Sequence, residues 1–245
     1  MQHGLLDRML EVEEKHWWFS ARRELLLALL RRWVPSGRRL LDVGCGTGFL
    51  LGAAQKDWEV WGLDPAPEAV EFCRARGLAH VMQGTVADLG TGKFPAADAI
   101  CFFDVLEHLE DDAGALRGAA SNLAADGLVL ATVPAYKWLW TSHDSEHHHF
   151  RRYTTERLGA AFRAAGLTTV QLGYFNTRLF PLAVASRMID RIRGHHADGR
   201  LLPVPAAPIN KTLRRIFASE RTRLAGPKPR PFRYGLSVVA VGRKS

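Results

Sequence analysis

Cysteine is scarce in this chain. It has three in 245 residues, Cys45, Cys73 and Cys101, and no CxxC pair. An odd number without framework spacing excludes a disulfide scaffold and points to a reducing compartment. The missing CxxC counts against a thiolate zinc site. No apolar run reaches the roughly 18 residues of a membrane span. The longest candidate, Leu179 to Ile192, is interrupted by Pro181, Arg187 and Asp190. The opening residues lack a basic stretch followed by an apolar one, so no secretory signal is expected and a cytoplasmic location is. The glycines follow no period. Acids are outnumbered, 25 against 33 lysines and arginines, for a net charge of +8. The length suits one sizeable domain with insertions, or one domain plus a small lobe.

The chain is organised around Leu40 to Phe49, Leu-Leu-Asp-Val-Gly-Cys-Gly-Thr-Gly-Phe. A short apolar run ends in Asp42; Gly44, Gly46 and Gly48 alternate with small residues, and a helix-compatible segment follows. A buried parallel strand turns into a helix around a ligand in this way, because glycine permits φ > 0 and close approach of the backbone. The spacing is G-x-G-x-G, not the G-x-G-x-x-G of a dinucleotide loop. Asp42 would also repel a pyrophosphate and attract an ammonium or sulfonium group. About twenty residues on, Val60 to Asp64 reads as the next strand, with an acid where a carboxylate accepts the two hydroxyls of an adenosine ribose.

Taken together, these residues resemble the class I S-adenosylmethionine (SAM) dependent methyltransferases. The resemblance implies an α/β fold: a Rossmann-like, doubly wound, seven-stranded sheet whose last strand inserts antiparallel between the fifth and sixth. Cofactor contacts are then expected from Asp42, Gly44, Cys45, Gly46, Gly48 and Asp64, from Asp88 near the adenine, and from Phe103 and Asp104 after the fourth strand. Residues 42–48, 64, 88 and 103–108 all fall at carboxyl ends of predicted strands, where ligands of such sheets bind.

Residues 5–16 and 20–34 read as two helices ahead of the sheet. Leu25, Leu26, Leu29, Leu30 and Trp33 give the second a buried face. Between them runs His16-Trp17-Trp18-Phe19-Ser20-Ala21-Arg22-Arg23. Two readings are open and compatible: aromatic anchors, or a lid over the cofactor with an arginine on the methionine carboxylate. The segment resembles the His-Trp-Trp-Phe-x-x-Arg-Arg opening of a bacterial methyltransferase group, and the related ubiquinone-pathway O-methyltransferases place a cofactor arginine ahead of the first strand. That resemblance gives the role to Arg22 or Arg23.

The expected organisation is a helical lid at 1–35, a core at 36–175 carrying an insertion at 134–153, a basic insertion at 176–233, and the final strand within 234–245. The basic insertion holds thirteen lysines and arginines against Asp190, Asp198 and Glu220, which leaves the rest of the chain slightly acidic. Two amphipathic helices are predicted near 179–193 and 209–223. Such a region is a solvated face, an attractor of an anionic or carrier-bound acceptor, or a membrane-surface contact through 179–193. No nucleic-acid recognition module is present, which counts against nucleic acid as a partner.

Methyl transfer from a sulfonium is an in-line displacement, so much of the catalysis is positioning. A base is needed only for a protonated nucleophile. Candidate bases are Asp104, Glu107 and His108 after the fourth strand, and His143 and the triple His147-His148-His149 on the first insertion. Asp104-x-x-Glu107-His108 also resembles the Glu-x-x-Glu-His signature of the ubiquinone-pathway and small-RNA 2′-O-methyltransferases, departing at its first position. There two carboxylates and a histidine hold a divalent cation, for which magnesium is the natural choice. On that reading Asp104, Glu107 and His108 are ligands, with His143 or His147 completing the set. The alternative is an acid and histidine that cap the next helix. His143-Asp144 and His149-Phe150-Arg151-Arg152-Tyr153-Thr154 match a His-Asp … His-x-Arg-Arg-Tyr-Thr stretch of the same bacterial group. The expected activity is O-methylation of a small molecule. N-methylation, an NAD-linked oxidoreductase and a non-catalytic SAM binder are the alternatives.

Overall fold

The computed structural model describes residues 5–193 and 203–244. Two helices, α1 (Leu5–Val12) and α2 (Trp17–Trp33), precede β1 (Arg39–Val43). The chain then alternates through α3 (Phe49–Ala54), β2 (Glu59–Asp64), α4 (Pro67–Ala75), β3 (Val81–Gln83), β4 (Ala97–Phe103), α5 (Asp112–Asn122) and β5 (Leu123–Pro134). The short α6 (Ser142–Glu146) and α7 (Thr155–Ala164) lead to β6 (Leu167–Phe175). After α8 (Phe180–Arg193), α9 (Ala207–Ala218) and α10 (Arg221–Leu224), the chain closes on β7 (Ser237–Lys244).

The strands form one sheet of order 3-2-1-4-5-7-6. β7 is antiparallel to both β5 and β6, and the other pairings are parallel. Alternation along the strands makes two cores. Leu40, Cys101 and Leu130 face α2, α3, α4 and α9, with Leu29, Leu51, Val70 and Phe217. Leu41, Ile100, Phe102 and Val129 face α5 and α7, with Leu116 and Phe162. Leu41 lies beside Ile100 in the register, so consecutive residues of a strand feed opposite layers. The chain reverses its winding direction between β1 and β4, which opens a crevice at their carboxyl ends.

Three expected boundaries differ. Trp17 to Phe19 do not link two helices; they are the first turn of α2. His16 supplies the cap, its side chain accepting from the Trp18 amide at 3.2 Å. Asn210 of α9 accepts from the Trp17 amide at 2.8 Å and donates to the Lys15 carbonyl at 2.8 Å. A histidine cap, completed from a residue far along the chain, is not a local start signal. β3 is confined to Val81–Gln83, where the sequence reads as a strand over Leu78 to Met82, and β5 begins at Leu123, four residues ahead of the Gly127 start that the sequence suggests.

The basic insertion is part of the fold. Phe217, Ala218 and Leu224 are buried in the same layer as Leu25 and Leu29. Glu24 of α2 takes both Arg214 and Arg221. Glu220, fully buried, accepts from the amides of Asn176, Thr177 and Arg178 at 2.6–2.8 Å. By contrast, α8 leaves Leu182 61% and Met188 57% exposed. Among the described residues, no helix is long and apolar enough to cross a membrane. The stretch 194–202, which includes Asp198 and Arg200, lies outside the described residues.

Candidate active site

The glycine turn leaves β1 with three consecutive alternate glycines at positive φ. At Gly46 (φ 54°) a Cβ would meet nothing within 4 Å, so the turn faces open space there. At Gly48 (φ 73°) a Cβ would lie 2.7 Å from Leu78 and 2.8 Å from the Cys73 sulfur, so packing as well as φ demands glycine. The Gly44 and Cys45 amides both donate to the Leu63 carbonyl, which ties the turn to β2. Cys45 and Cys73 are buried free thiols with sulfurs 3.9 Å apart.

Two acids sit under this turn. Asp42 is 5% exposed at the end of β1, and burial pushes its carboxyl up to about 8, with the charge of Asp64 adding to the effect. Asp64, 1% exposed, accepts from the Gly46 amide through one oxygen and from the Ala66 amide through the other, both at 2.9 Å. A carboxylate offers about four lone-pair sites, so two remain for a ligand. Burial raises the Asp64 carboxyl too, against the lowering by those amides. Asp88 lies in the loop after β3. It closes a capping box on the Thr85 amide and pairs with Lys93 at 3.0 Å.

The two arginines of α2 part company. The Arg23 guanidinium lies 3.7 Å above the Phe49 ring of α3. Arg22 is buried and reaches the strand ends. One terminal nitrogen donates to Thr132 Oγ1 of β5 at 2.8 Å and pairs with Asp104, while the other, Nη1, is buried without a partner. Asp104 follows Phe103 in the left-handed region, at φ 60°, with its amide on the Thr132 carbonyl. That conformation is uncommon for a residue with a Cβ and turns the side chain back toward Arg22.

A second cluster stands next to this one. Glu107 is 1% exposed, and burial holds its carboxyl well above the usual range, with the charge of Asp104 adding to it. Its Oε2 has no hydrogen-bond partner. Glu107, His108 and His149 each bring a donor atom within 4.8 Å of the others. His108 Nδ1 meets the His147 carbonyl at 2.9 Å, and His149 Nδ1 meets Asp144 Oδ1 at 2.9 Å. A carbonyl and a carboxylate are acceptors, so both contacts put the proton on Nδ1 and leave Nε2 as the basic nitrogen.

His149 is the member of the triple histidine, expected as a group among the candidate bases, whose ring reaches the site. Its position depends on Asp144, which also accepts from Arg152 Nε at 2.7 Å and Nη2 at 2.9 Å and from the Thr141 amide. These partners hold the Asp144 carboxyl well below the usual range despite burial. The His-Asp and His-x-Arg-Arg pieces of the insertion therefore meet on one carboxylate, and that contact aims His149 at Glu107. The motif spacing was the available signal. His143, expected as a base, lies in α6, and its side chain is outside the described residues. His147 meets the site through its carbonyl. Asp104, expected as a ligand, is held by Arg22.

A family described as a methyltransferase domain matches residues 16–172, from the His16 cap through β6. The chain belongs to this family. Its sheet order and glycine turn are those expected of the class I SAM-dependent methyltransferase fold. The ubiquinone biosynthesis O-methyltransferase of Alkalilimnicola ehrlichii is 36% identical over 100 residues, 38% of this chain and 40% of that protein. The protein of that name in Xanthomonas axonopodis pv. citri is 36% identical over 106 residues, 40% of this chain and 44% of that one. The methyltransferase thus matches less than half the length of these curated relatives.

Solved structures show the same fold. One is the complex of the Trm112 methyltransferase activator with its methyltransferase from Haloferax volcanii, with TM-score 0.60, 22% identity, and coverage of 97% of this chain and 94% of that one. A SAM-dependent methyltransferase from Thermotoga maritima gives 0.59 at 18% identity, covering 98% and 94%. The [4+2]-cyclase SpnF gives 0.57 at 21%, covering 93% and 81%, so this fold houses more than one chemistry.

Proposed function

We propose that the methyltransferase moves the methyl group of SAM to a hydroxyl oxygen of a small acceptor. The observation that carries this reading is the Glu107–His108–His149 cluster, set beside Arg22 and the strand ends that face the glycine turn. Arg22 Nη1, buried and unpartnered, suits the methionine carboxylate. Asp42 suits the ammonium, Asp64 the ribose, and Asp88 the adenine amine. His149 Nε2 is oriented by its Asp144 bond to take the hydroxyl proton as the oxygen attacks the methyl carbon and the carbon–sulfur bond breaks. S-adenosylhomocysteine leaves, and the proton remains on the histidine until solvent removes it. The relatives' names, ubiquinone biosynthesis O-methyltransferase, support oxygen over nitrogen as the acceptor.

The same cluster supports a cation-assisted form of the reaction. The orphaned Glu107 Oε2 and two histidines carrying Nδ1–H toward a carboxylate or carbonyl are the features of a divalent site with its outer partners in place. Two imidazoles with one carboxylate suit manganese, iron, cobalt or zinc better than magnesium, which prefers an all-oxygen shell. A cation held there would lower the acceptor hydroxyl's pKa. The test is methyl transfer from labelled SAM to catechol-type and phenolic acceptors before and after chelation, with His149→Ala and Glu107→Gln variants. Loss on chelation and rescue by Mn²⁺ supports the cation. Chelator-indifferent turnover that His149→Ala abolishes assigns the histidine as base. Undiminished turnover in His149→Ala overturns the assignment of this centre.

A further inference from the structure

Past the carboxyl end of β6, the chain builds a cavity of about 440 Å³ between the start of α8, α10 and the segment before β7. Arg178, Arg223 and Arg233 line it, together with Phe232 and Tyr234, and among the described residues no acid does. Like charges gathered in one concavity repel one another, whereas Arg31, Arg39, Arg76, Arg152 and Arg214 are each paired with a carboxylate. None of the three cavity arginines has one among the described residues. The nearby acid, Glu220, is buried and turned to the backbone amides of residues 176–178, and the charge of Arg178 acts on it without an ion pair. Arg223 is fixed in place, with Nε on the Arg230 carbonyl at 2.7 Å and its guanidinium 4.3 Å above Phe232.

A run of aromatic rings leads from the cavity toward the carboxyl end of β5. Tyr234 lies 5.5 Å from Phe180, Phe180 is 6.2 Å from Trp138 and 6.1 Å from Tyr136, and Tyr136 stacks on Tyr174 at 5.1 Å. Tyr136 follows the end of β5, the strand whose Thr132 holds Arg22. Trp138 and Tyr234 are 52% and 51% exposed, a solvent-facing apolar path between the cationic cavity and the strand ends.

We propose that the acceptor carries a phosphoryl group, held by Arg178, Arg223 and Arg233, and that its apolar body crosses Trp138, Phe180 and Tyr234 toward the methyl group. Forked guanidiniums match phosphate oxygens in number and geometry, and three of them without a carboxylate ion pair among the described residues suit a dianion or diphosphate. The proposal rests on the methyltransferase reading and names its substrate class. The phosphoryl group belongs either to a soluble acceptor or to a lipid headgroup, for which the exposed Leu182 and Met188 of α8 offer a surface.

The test uses the full chain saturated with S-adenosylhomocysteine, titrated with sodium pyrophosphate by calorimetry at fixed ionic strength. The R178Q/R233Q variant is expected to bind pyrophosphate at least about tenfold more weakly, while S-adenosylhomocysteine affinity is unchanged. The R31Q/R32Q variant removes two charges elsewhere and should bind pyrophosphate as the wild type does. Sedimentation with phosphatidylcholine vesicles containing phosphatidic acid, reversed by pyrophosphate, assigns the group to a lipid. Pyrophosphate binding without sedimentation assigns it to a soluble acceptor. No pyrophosphate binding, or equal losses in the two double variants, overturns the proposal. Failure to bind S-adenosylhomocysteine would instead strike the cofactor reading, so the two failures are distinguishable.

Discussion

Asp42 faces opposite demands in the free and the cofactor-bound protein. Burial raises its carboxyl to about 8 from an unfolded value of about 3.9. The folded state then binds the proton more tightly than the unfolded one. Its contribution to stability is intact below the unfolded value and is lost as pH rises toward 8. Asp42→Asn removes that loss, so the ligand-free variant is expected to melt above the wild type at pH 8 and level with it near pH 4. A cofactor ammonium reverses the preference, since an adjacent cation favours the carboxylate. Binding below pH 8 should therefore release a proton, and affinity should fall as the pH is lowered. Calorimetry with S-adenosylhomocysteine in two buffers of different ionisation enthalpy counts the proton; a count of zero removes Asp42 from the ammonium's surroundings. Asp64 combines two tasks, since its oxygens already hold the Gly46 and Ala66 amides. Asp64→Ala is expected to weaken cofactor binding by about 1.5–3 kcal/mol and to lower the melting temperature as well. A variant that melts lower yet binds normally would confine Asp64 to shaping the turn.

At the scale of elements, the turn after α1 is linked to the glycine turn. Glu13 is 1% exposed; it accepts from Thr47 Oγ1 at 2.5 Å and pairs with Arg76, which caps the end of α4 and whose Nε donates to the Thr47 carbonyl at 2.8 Å. Burial raises the Glu13 carboxyl, against the lowering by Thr47 and Arg76. This contact fixes the segment carrying His16, Trp17 and Trp18 relative to the cofactor turn, and Arg23 on Phe49 adds a second tie. Glu13→Gln should loosen the N-terminal segment without touching the cofactor contacts themselves. Stopped-flow release of S-adenosylhomocysteine is expected to speed up about tenfold, the effect of losing roughly 1.4 kcal/mol of charge-assisted bonding. Unchanged release, with the melting temperature lowered, would mean that the contact serves folding alone. Faster release would give the aromatic opening a covering role beside the anchoring one that its contacts show.

For the whole molecule, legibility in the sequence followed the range of the interactions. The sheet core was legible because strand runs, crossover helices and the glycine turn are each specified within about ten residues. The centre formed by Glu107, His108 and His149 was half legible, because His149 is brought there by Asp144 and Arg152 across an insertion with no regular period. The basic insertion was hardest to read, since a count of its charges hides Phe217, Leu224 and Glu220, the residues that bind it to the sheet. Their burial carries a consequence for unfolding. A separate lobe would melt in its own transition, whereas a region sharing one hydrophobic layer with α2 must unfold with it. Trp17, Trp18 and Trp33 pack against that layer and report on it directly. Tryptophan fluorescence and far-ultraviolet circular dichroism are therefore expected to give one coincident urea transition. Glu220→Ala strands three buried amides and should move that single midpoint down, by about 3 kcal/mol in stability. A split into two transitions in the wild type would show that the insertion folds on its own, and that its helices only rest on the methyltransferase core.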